Sequence, residues 1–458
     1  MEEHGATGAA AGYLTHMSSD DEDVHSSVPT TSPVFVTLTL IMSVVGTGLL
    51  SLPATMKCIG VLPGVGTLAL VALLMIFTGE LMLRCHLASP SHCDSYEALT
   101  KRCFAVSQSP YLAGREKWAT QIVNLVNSLG IFGGCCAYMA IAKNTLPKLK
   151  YRLRLDDSLW FWSDYFVTGV LVTCISFPLC LKKNIASLRF SSVFGFCFSI
   201  YMIAIISFRG FGDILNGDAK WAEIECAHRG EFTSLVIAIS VFNFSFVFHF
   251  NIIPLYTSLH PESRNPKTMR RIIIFTVIFC AFIYAAVAVS GFALYGAATQ
   301  DNILNNFETN DDVVNTARIA IVACCYLCLP LLEHPLRGSM SAFLGLGNSK
   351  FNRIMLTFVL LVSQYCVSIL IPSIETIFSL TGGTAVVGFC YVFPVLFALA
   401  LLSNRYQESS RGLLEVPILM SQMNLSSPEK CICIAILVCL PIVGMMSTAS
   451  QIAGTVPP

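Results

Sequence analysis

The chain has 458 residues, 28 basic against 28 acidic side chains, 54% hydrophobic residues, 12% charged residues and a mean hydropathy of +0.68. Water-soluble domains are about a quarter charged, so an ordinary soluble domain is excluded. The apolar residues come in blocks near the ~20 residues a helix needs to cross a bilayer, and no basic excess exists to track a phosphate backbone, which excludes a nucleic-acid partner.

In chain order, residues 1–33 contain no Lys or Arg and no apolar core, so no secretory signal is expected there. This Gly/Ala/Ser-rich tail ends in Ser18-Ser19-Asp20-Asp21-Glu22-Asp23 and is expected to stay disordered and cytosolic, with Ser18 and Ser19 in a setting that suits a kinase. Eleven apolar runs follow, near 34–57, 61–85, 117–146, 158–181, 187–208, 231–258, 270–297, 313–336, 353–378, 381–402 and 430–450. The Thr381-Gly382-Gly383-Thr384 sequence is the expected turn between the ninth and tenth. The expected organisation is a first five-helix unit over 34–208, an outside loop over 209–230, a second five-helix unit over 231–402, a cytosolic loop over 403–429 and an eleventh helix over 430–458 with a short outside end. Most of the 28 Lys and Arg residues fall on the side assigned to the cytosol, although Lys143, Lys148, Lys150, Arg152 and Arg154 stand against that bias. Cys226 is the one cysteine of the 209–230 loop and cannot close a disulfide within it, and Asn424-Leu425-Ser426 falls on the cytosolic side, where a glycan is not expected. Most of the 19 cysteines, such as Cys135-Cys136 and Cys324-Cys325, sit within apolar runs as small apolar residues.

Two runs carry breakers. In the first, Gly46-Thr47-Gly48 is followed by Pro53, which suggests an unwound stretch whose second half-helix presents free N–H groups and a positive dipole end to a carboxylate. Close helix packing through small residues explains the same glycines. In the sixth, Asn243, Ser245, His249 and Asn251 alternate with phenylalanines ahead of Pro254. Interruptions five helices apart are what an inverted five-plus-five repeat predicts, with a solute held between them.

These residues carry a family likeness. Gly46-Thr47-Gly48-Leu49-Leu50-Ser51-Leu52-Pro53, Asp94-Ser95-Tyr96-Glu97-Ala98-Leu99, Phe246 to Leu259, Gly291 to Gly296 and Leu329 to Arg337 occur in order across residues 34–402. Together they resemble the amino acid/auxin permease family, especially its sodium-coupled neutral amino acid transporter branch. The resemblance implies an all-α integral membrane protein of eleven transmembrane helices with the leucine-transporter fold, alternating access and an amino acid as cargo. It implies that Gly46, Thr47 and Gly48 hold the substrate carboxylate and that Asn243, Ser245 and Phe246 meet the amino group and side chain. In the sodium-coupled branch an asparagine stands four residues before the first glycine of that motif, and a hydroxyl residue stands two before the proline of the eighth span. Here those positions are Met42 and Cys328. A thioether or thiol does not replace a hard oxygen ligand, so sodium coupling is expected to be lost or weak, leaving proton coupling or facilitated exchange.

His249, Glu333 and His334 are the titratable residues that could carry a proton. Each also has a plainer role: His249 could fix the bend near Pro254, and Glu333 and His334 could pair locally beside Arg337. Arg318 is expected to reach toward the outer interface. Phe242, Phe244 and Phe246 suit a neutral side chain. No His-Glu-x-x-His, Gly-x-Ser-x-Gly or Gly-x-x-x-x-Gly-Lys motif is present, so no enzyme activity, metal or other cofactor is expected. The competing function is an amino acid receptor or nutrient sensor with little flux. The expected membrane is the plasma membrane, with an acidic organelle as the alternative.

Overall fold

The computed structural model describes residues 31–89, 95–107, 109, 111–154, 159–181, 189–218, 232–347, 349–371, 373–410 and 425–455. The expectations for the tail with Ser18 and Ser19, for Cys226 and for Asn424 lie outside the described residues. What is described is helical, with one isolated parallel bridge between Thr31 and Leu259. Nine helices among the described residues are long and apolar enough to cross a membrane. The remaining two apolar runs are shorter: the first is Pro33–Val44 continued after a break, and the fourth is Asp164–Cys180. The ordinal numbers one to eleven are kept for these runs below.

Local sequence explains many boundaries. Ser32 accepts a hydrogen bond from Phe35 N and Pro33 opens the first helix, a preferred start. Gly60 (φ 84°) makes the sharp turn from Leu52–Ile59 into the second span, Val61–Ala88, a conformation that strains any residue with a side chain. Between the second and third spans, Ser95 caps the short helix Tyr96–Val106, whose Tyr96 stacks on Phe389 and donates its hydroxyl to Phe389 O at 2.7 Å.

The third span runs Glu116–Arg152, past its expected end at 146. The basic residues that opposed the charge bias are therefore largely helical, and three of them have fixed partners. Lys143 Nζ donates to Ser368 O at 2.6 Å, Lys150 pairs with Asp164 at 2.6 Å and Arg152 with Asp312 at 2.8 Å. The fifth span runs Arg189–Asn216, so residues 209–216 belong to a helix and not to the loop expected over 209–230. The tenth ends at Ser410 and the eleventh starts at Ser427, each extending into the loop expected over 403–429.

The boundary between the ninth and tenth spans is also corrected. The ninth is Lys350–Leu370, and the tenth starts at Ile374, capped by Ser373. Gly382 and Gly383 stand inside the tenth, at the start of a π-helical stretch, Gly382–Val392. They are contact points and not a turn: a Cβ on Gly382 would overlap Ser240 O, and one on Gly383 would lie 3.0 Å from Ser240 Oγ and 3.1 Å from Gly444 O. Absent side chains let the sixth, tenth and eleventh spans touch through their backbones.

Spans one, two, six and seven pack together, as do three, four, eight and nine, with the third and eighth forming the most extensive pair. The fifth touches both sets through the seventh and eighth. Residues 296–311 link the seventh span to the eighth. Lys57 Nζ donates to Thr299 O at 2.7 Å, Asn302 Nδ2 to Thr145 Oγ1 at 3.1 Å, and Ser373 Oγ to Asp301 at 2.6 Å. Arg318 does not reach for the interface as expected. It is fully buried and donates to Leu304 O (2.8 Å), Phe307 O (2.7 Å), Glu308 O (3.2 Å) and Asn315 Oδ1 (2.6 Å). Those carbonyls lie in irregular backbone and have no helical partner of their own, so the guanidinium is drawn inward.

Candidate functional site

The first break is as expected. Pro33–Val44 ends, Val45 and Gly46 adopt extended conformations, and a 3₁₀ turn over Thr47–Leu50 leads into Leu52–Ile59 with Pro53 in its first turn. Val45 N–H still bonds Ile41 O at 2.8 Å, whereas the Gly46 and Gly48 N–H groups have no backbone acceptor among the described residues. The sixth span breaks in the same manner. Phe232–Ser245 ends, Phe246, Val247 and Phe248 leave the helix, and His249–Ser258 resumes it. The interruption falls between the polar residues singled out in the sequence, with Asn243 and Ser245 on one half-helix and His249 and Asn251 on the other.

The two breaks abut. A Cβ on Gly48 would come within 2.8 Å of Ser245 Oγ and 3.4 Å of Ser245 Cα. A Cβ on Gly46 would meet only Val44 O, at 3.9 Å. The two glycines therefore differ: Gly48 allows close packing against the sixth span, and Gly46 borders open space. The Thr47 side chain lies outside the described residues.

Tyr284 of the seventh span joins the breaks. Its hydroxyl lies 2.7 Å from Val44 O and 2.9 Å from Ser245 O, the last carbonyls of the two half-helices, and its ring meets Phe246 edge to face. Ser245 Oγ donates to Val241 O at 2.9 Å, which leaves its lone pairs as acceptors. Asn243 Oδ1 accepts from Tyr391 OH at 2.8 Å, and its Nδ2, also buried, has no partner among the described residues. Phe244 stacks on Phe378 of the tenth span at 4.5 Å. Asn243 and Ser245 thus serve different contacts, Asn243 with Tyr391 of the tenth span and Ser245 with Gly48 of the first. Tyr284 and Tyr391 were not legible in the sequence, where each is one tyrosine in an apolar run.

His249 opens the second half of the sixth span. It is fully buried, with Nε2 2.9 Å from Thr78 Oγ1. Thr78 Oγ1 also lies 3.0 Å from Leu74 O, and His249 Nδ1 has no partner among the described residues. The bond ties the sixth span to the second. Glu333 and His334 are not a local pair with Arg337. Glu333 is fully buried and accepts from Gln364 Nε2 at 2.9 Å, while Arg337 donates to Cys180 O and Thr357 Oγ1. His334 is half-buried on the neighbouring face. Met42 lies half-buried in the first half-helix, and Cys328 Sγ lies 3.7 Å from Cys324 Sγ in the eighth span. The titratable trio is therefore split between the second–sixth contact and the eighth–ninth contact.

Comparison with known proteins agrees with this architecture. Residues 29–420 match the family model described as transmembrane amino acid transporter protein. The amino acid transporter AVT6E of Arabidopsis thaliana is 29% identical over 381 residues, covering 79% of this chain and 74% of the relative. The sodium-coupled neutral amino acid symporter 2 of Danio rerio is 24% identical over 393 residues, covering 80% of this chain and 75% of the relative. Among solved structures, MhsT in complex with L-phenylalanine aligns with a TM-score of 0.53 at 14% identity, covering 92% of this chain and 99% of that one. This last likeness concerns the fold, the leucine-transporter arrangement expected from the sequence. The chain belongs to the transmembrane amino acid transporter family.

Proposed function

We propose that this chain is a secondary carrier that moves a neutral amino acid by alternating access, driven by protons or by exchange and not by sodium. The observation that carries this reading is the meeting of two unwound stretches, with the Gly46 and Gly48 amides lacking a backbone acceptor among the described residues and the last carbonyls of both half-helices sharing the Tyr284 hydroxyl. In this reading the substrate carboxylate lies against the Gly46-Thr47-Gly48 amides, at the positive end of the second half-helix. Ser245 Oγ receives the ammonium group, Asn243 Nδ2 supplies a further donor, and Phe246 with its aromatic neighbours takes an uncharged side chain. Met42 and Cys328 offer sulfur where sodium calls for oxygen, which supports a different driving ion. A proton-driven carrier suits a membrane that holds a proton gradient, here the plasma membrane or that of an acidic organelle.

The test is radiolabelled uptake and counterflow in proteoliposomes, with a competition panel of unlabelled amino acids. Replacing external sodium by choline should leave uptake of neutral amino acids intact, and an inward proton gradient should raise it. A strict sodium requirement would overturn the coupling assignment. Binding without counterflow would overturn transport itself and favour a receptor.

A further inference from the structure

Glu333 and Gln364 meet where the eighth and ninth spans pack, away from the paired breaks. Gln364 Nε2 donates to Glu333 Oε2 at 2.9 Å, and both side chains are fully buried. The other two oxygens of the pair, Glu333 Oε1 and Gln364 Oε1, are buried and have no hydrogen-bond partner among the described residues. On the same helix, Arg337 faces Glu333, but its Nη1 donates to Cys180 O at 2.8 Å and Thr357 Oγ1 at 3.0 Å. No ion pair joins Arg337 to Glu333 among the described residues, and Arg353 of the ninth span faces Arg337 and not the carboxyl. The remaining titratable groups facing Glu333 are the thiols of Cys135 and Cys136 from the third span and Cys180 from the fourth, none of which brings a positive charge. His334 follows Glu333 along the helix.

An ionised carboxylate here would be a buried charge with one neutral donor, a strongly unfavourable arrangement. A proton on Oε1 removes the charge and gives that oxygen a hydrogen to donate. Gln364 Oε1, the unpaired acceptor on the same partner, can take it, which closes a cyclic acid–amide pair with two opposed hydrogen bonds. Turning the amide over would set oxygen against oxygen and call for the same proton. His249 lacks this complement, because it meets Thr78 through Nε2 alone and its Nδ1 has no partner among the described residues.

We infer that the Glu333–Gln364 pair holds a proton in this conformation and is the site where the carrier loads and releases its coupling proton. This rests on the proton-driven reading above. The ion then binds between two helices of the three–four–eight–nine set, while the amino acid binds at the breaks of the one–two–six–seven set.

The experiment uses the full chain in proteoliposomes, unaltered and as Glu333→Gln and Gln364→Leu. For one proton per solute, an inward gradient of one pH unit supports about tenfold accumulation. Glu333→Gln, which keeps the neutral pair and the packing, should lose that accumulation yet retain counterflow without a gradient. Gln364→Leu, which keeps the acid, should retain gradient-driven uptake with a displaced pH midpoint. Infrared difference spectra of the unaltered protein between acid and alkaline pH should show a protonated-carboxyl band absent from Glu333→Gln, a readout that needs no transport. Full gradient stimulation in Glu333→Gln, or an unchanged band, would overturn the assignment. Loss of counterflow in the unaltered protein would instead remove the transport reading while the band still decides the proton.

Discussion

Two parts of this molecule interrupt the α-helical backbone of the bundle, and they handle their polar groups in opposite ways. Between the seventh and eighth spans, residues 296–311 have their carbonyls tied down: Arg318 takes Leu304 O, Phe307 O and Glu308 O, and Lys57 takes Thr299 O. At the breaks of the first and sixth spans the carbonyls of Val44 and Ser245 share the Tyr284 hydroxyl, but the Gly46 and Gly48 N–H groups have no backbone acceptor among the described residues. Without water, an unsatisfied backbone group costs about as much as a lost hydrogen bond. Irregular backbone therefore persists where side chains hold it or where a solute does. The 296–311 segment is of the first kind, and in the reading proposed above the breaks are of the second.

The sharpest way to break this contrast is Arg318→Met. It leaves three carbonyls without a donor in a buried setting and should cost roughly 3 kcal/mol or more. The purified protein should unfold at a clearly lower temperature in detergent and reach the membrane in smaller amount. Arg318→Lys should fall between, since one ammonium cannot match the guanidinium's fork of donors.

Next come the two glycines. Gly46→Ala adds a methyl that meets only Val44 O at 3.9 Å, so the amount of folded protein should be unchanged while uptake falls by about a hundredfold if the site is there. Gly48→Ala pushes on Ser245, so it should lower both stability and uptake, and adding Ser245→Ala should restore part of the stability. Unaltered uptake in Gly46→Ala would remove the carboxylate from that break.

Tyr284→Phe keeps the ring against Phe246 and deletes the hydroxyl that joins both breaks. The expected loss is about 1–3 kcal/mol, read as uptake reduced by roughly tenfold or more with little change in helix content by circular dichroism. An effect confined to stability would make Tyr284 a packing residue only.

The smallest effect belongs to the ion pair that ties the 296–311 segment to the fifth span. Arg209 hydrogen-bonds Asp311 and holds its carboxyl below the usual carboxylate range. A depressed acid stabilises the fold fully above the ordinary carboxylate range, and this contribution is lost as pH falls through the lowered value. With the Arg209 side chain 37% exposed, solvent screening keeps the pair to under about 1 kcal/mol. Asp311→Asn should therefore lower the unfolding temperature slightly at neutral pH, and the difference should vanish in acid.

Much of the candidate site was legible in the residues themselves. Gly46, Gly48 and Pro53 in an apolar run announce a break because glycine and proline weaken a helix through their own backbone. The alternation of Asn243, Ser245, His249 and Asn251 with phenylalanines marks the second. The Gly382-Gly383 pair shows the limit of that logic. It uses the same breakers, but a neighbouring backbone fills the space, and the helix runs on as a π-helical stretch.

Length, charge and breaker spacing are local properties, and they were enough to determine that the chain is a membrane bundle, where most spans lie and which two are interrupted. Tertiary structure alone decided which glycine faces open space, that Tyr284 closes the break, that Arg318 turns inward and that Glu333 meets Gln364 instead of Arg337. Each of those is a contact between residues far apart in the chain. Such contacts are settled by which unpaired polar groups remain once the helices have packed, and the order of the residues does not encode that directly.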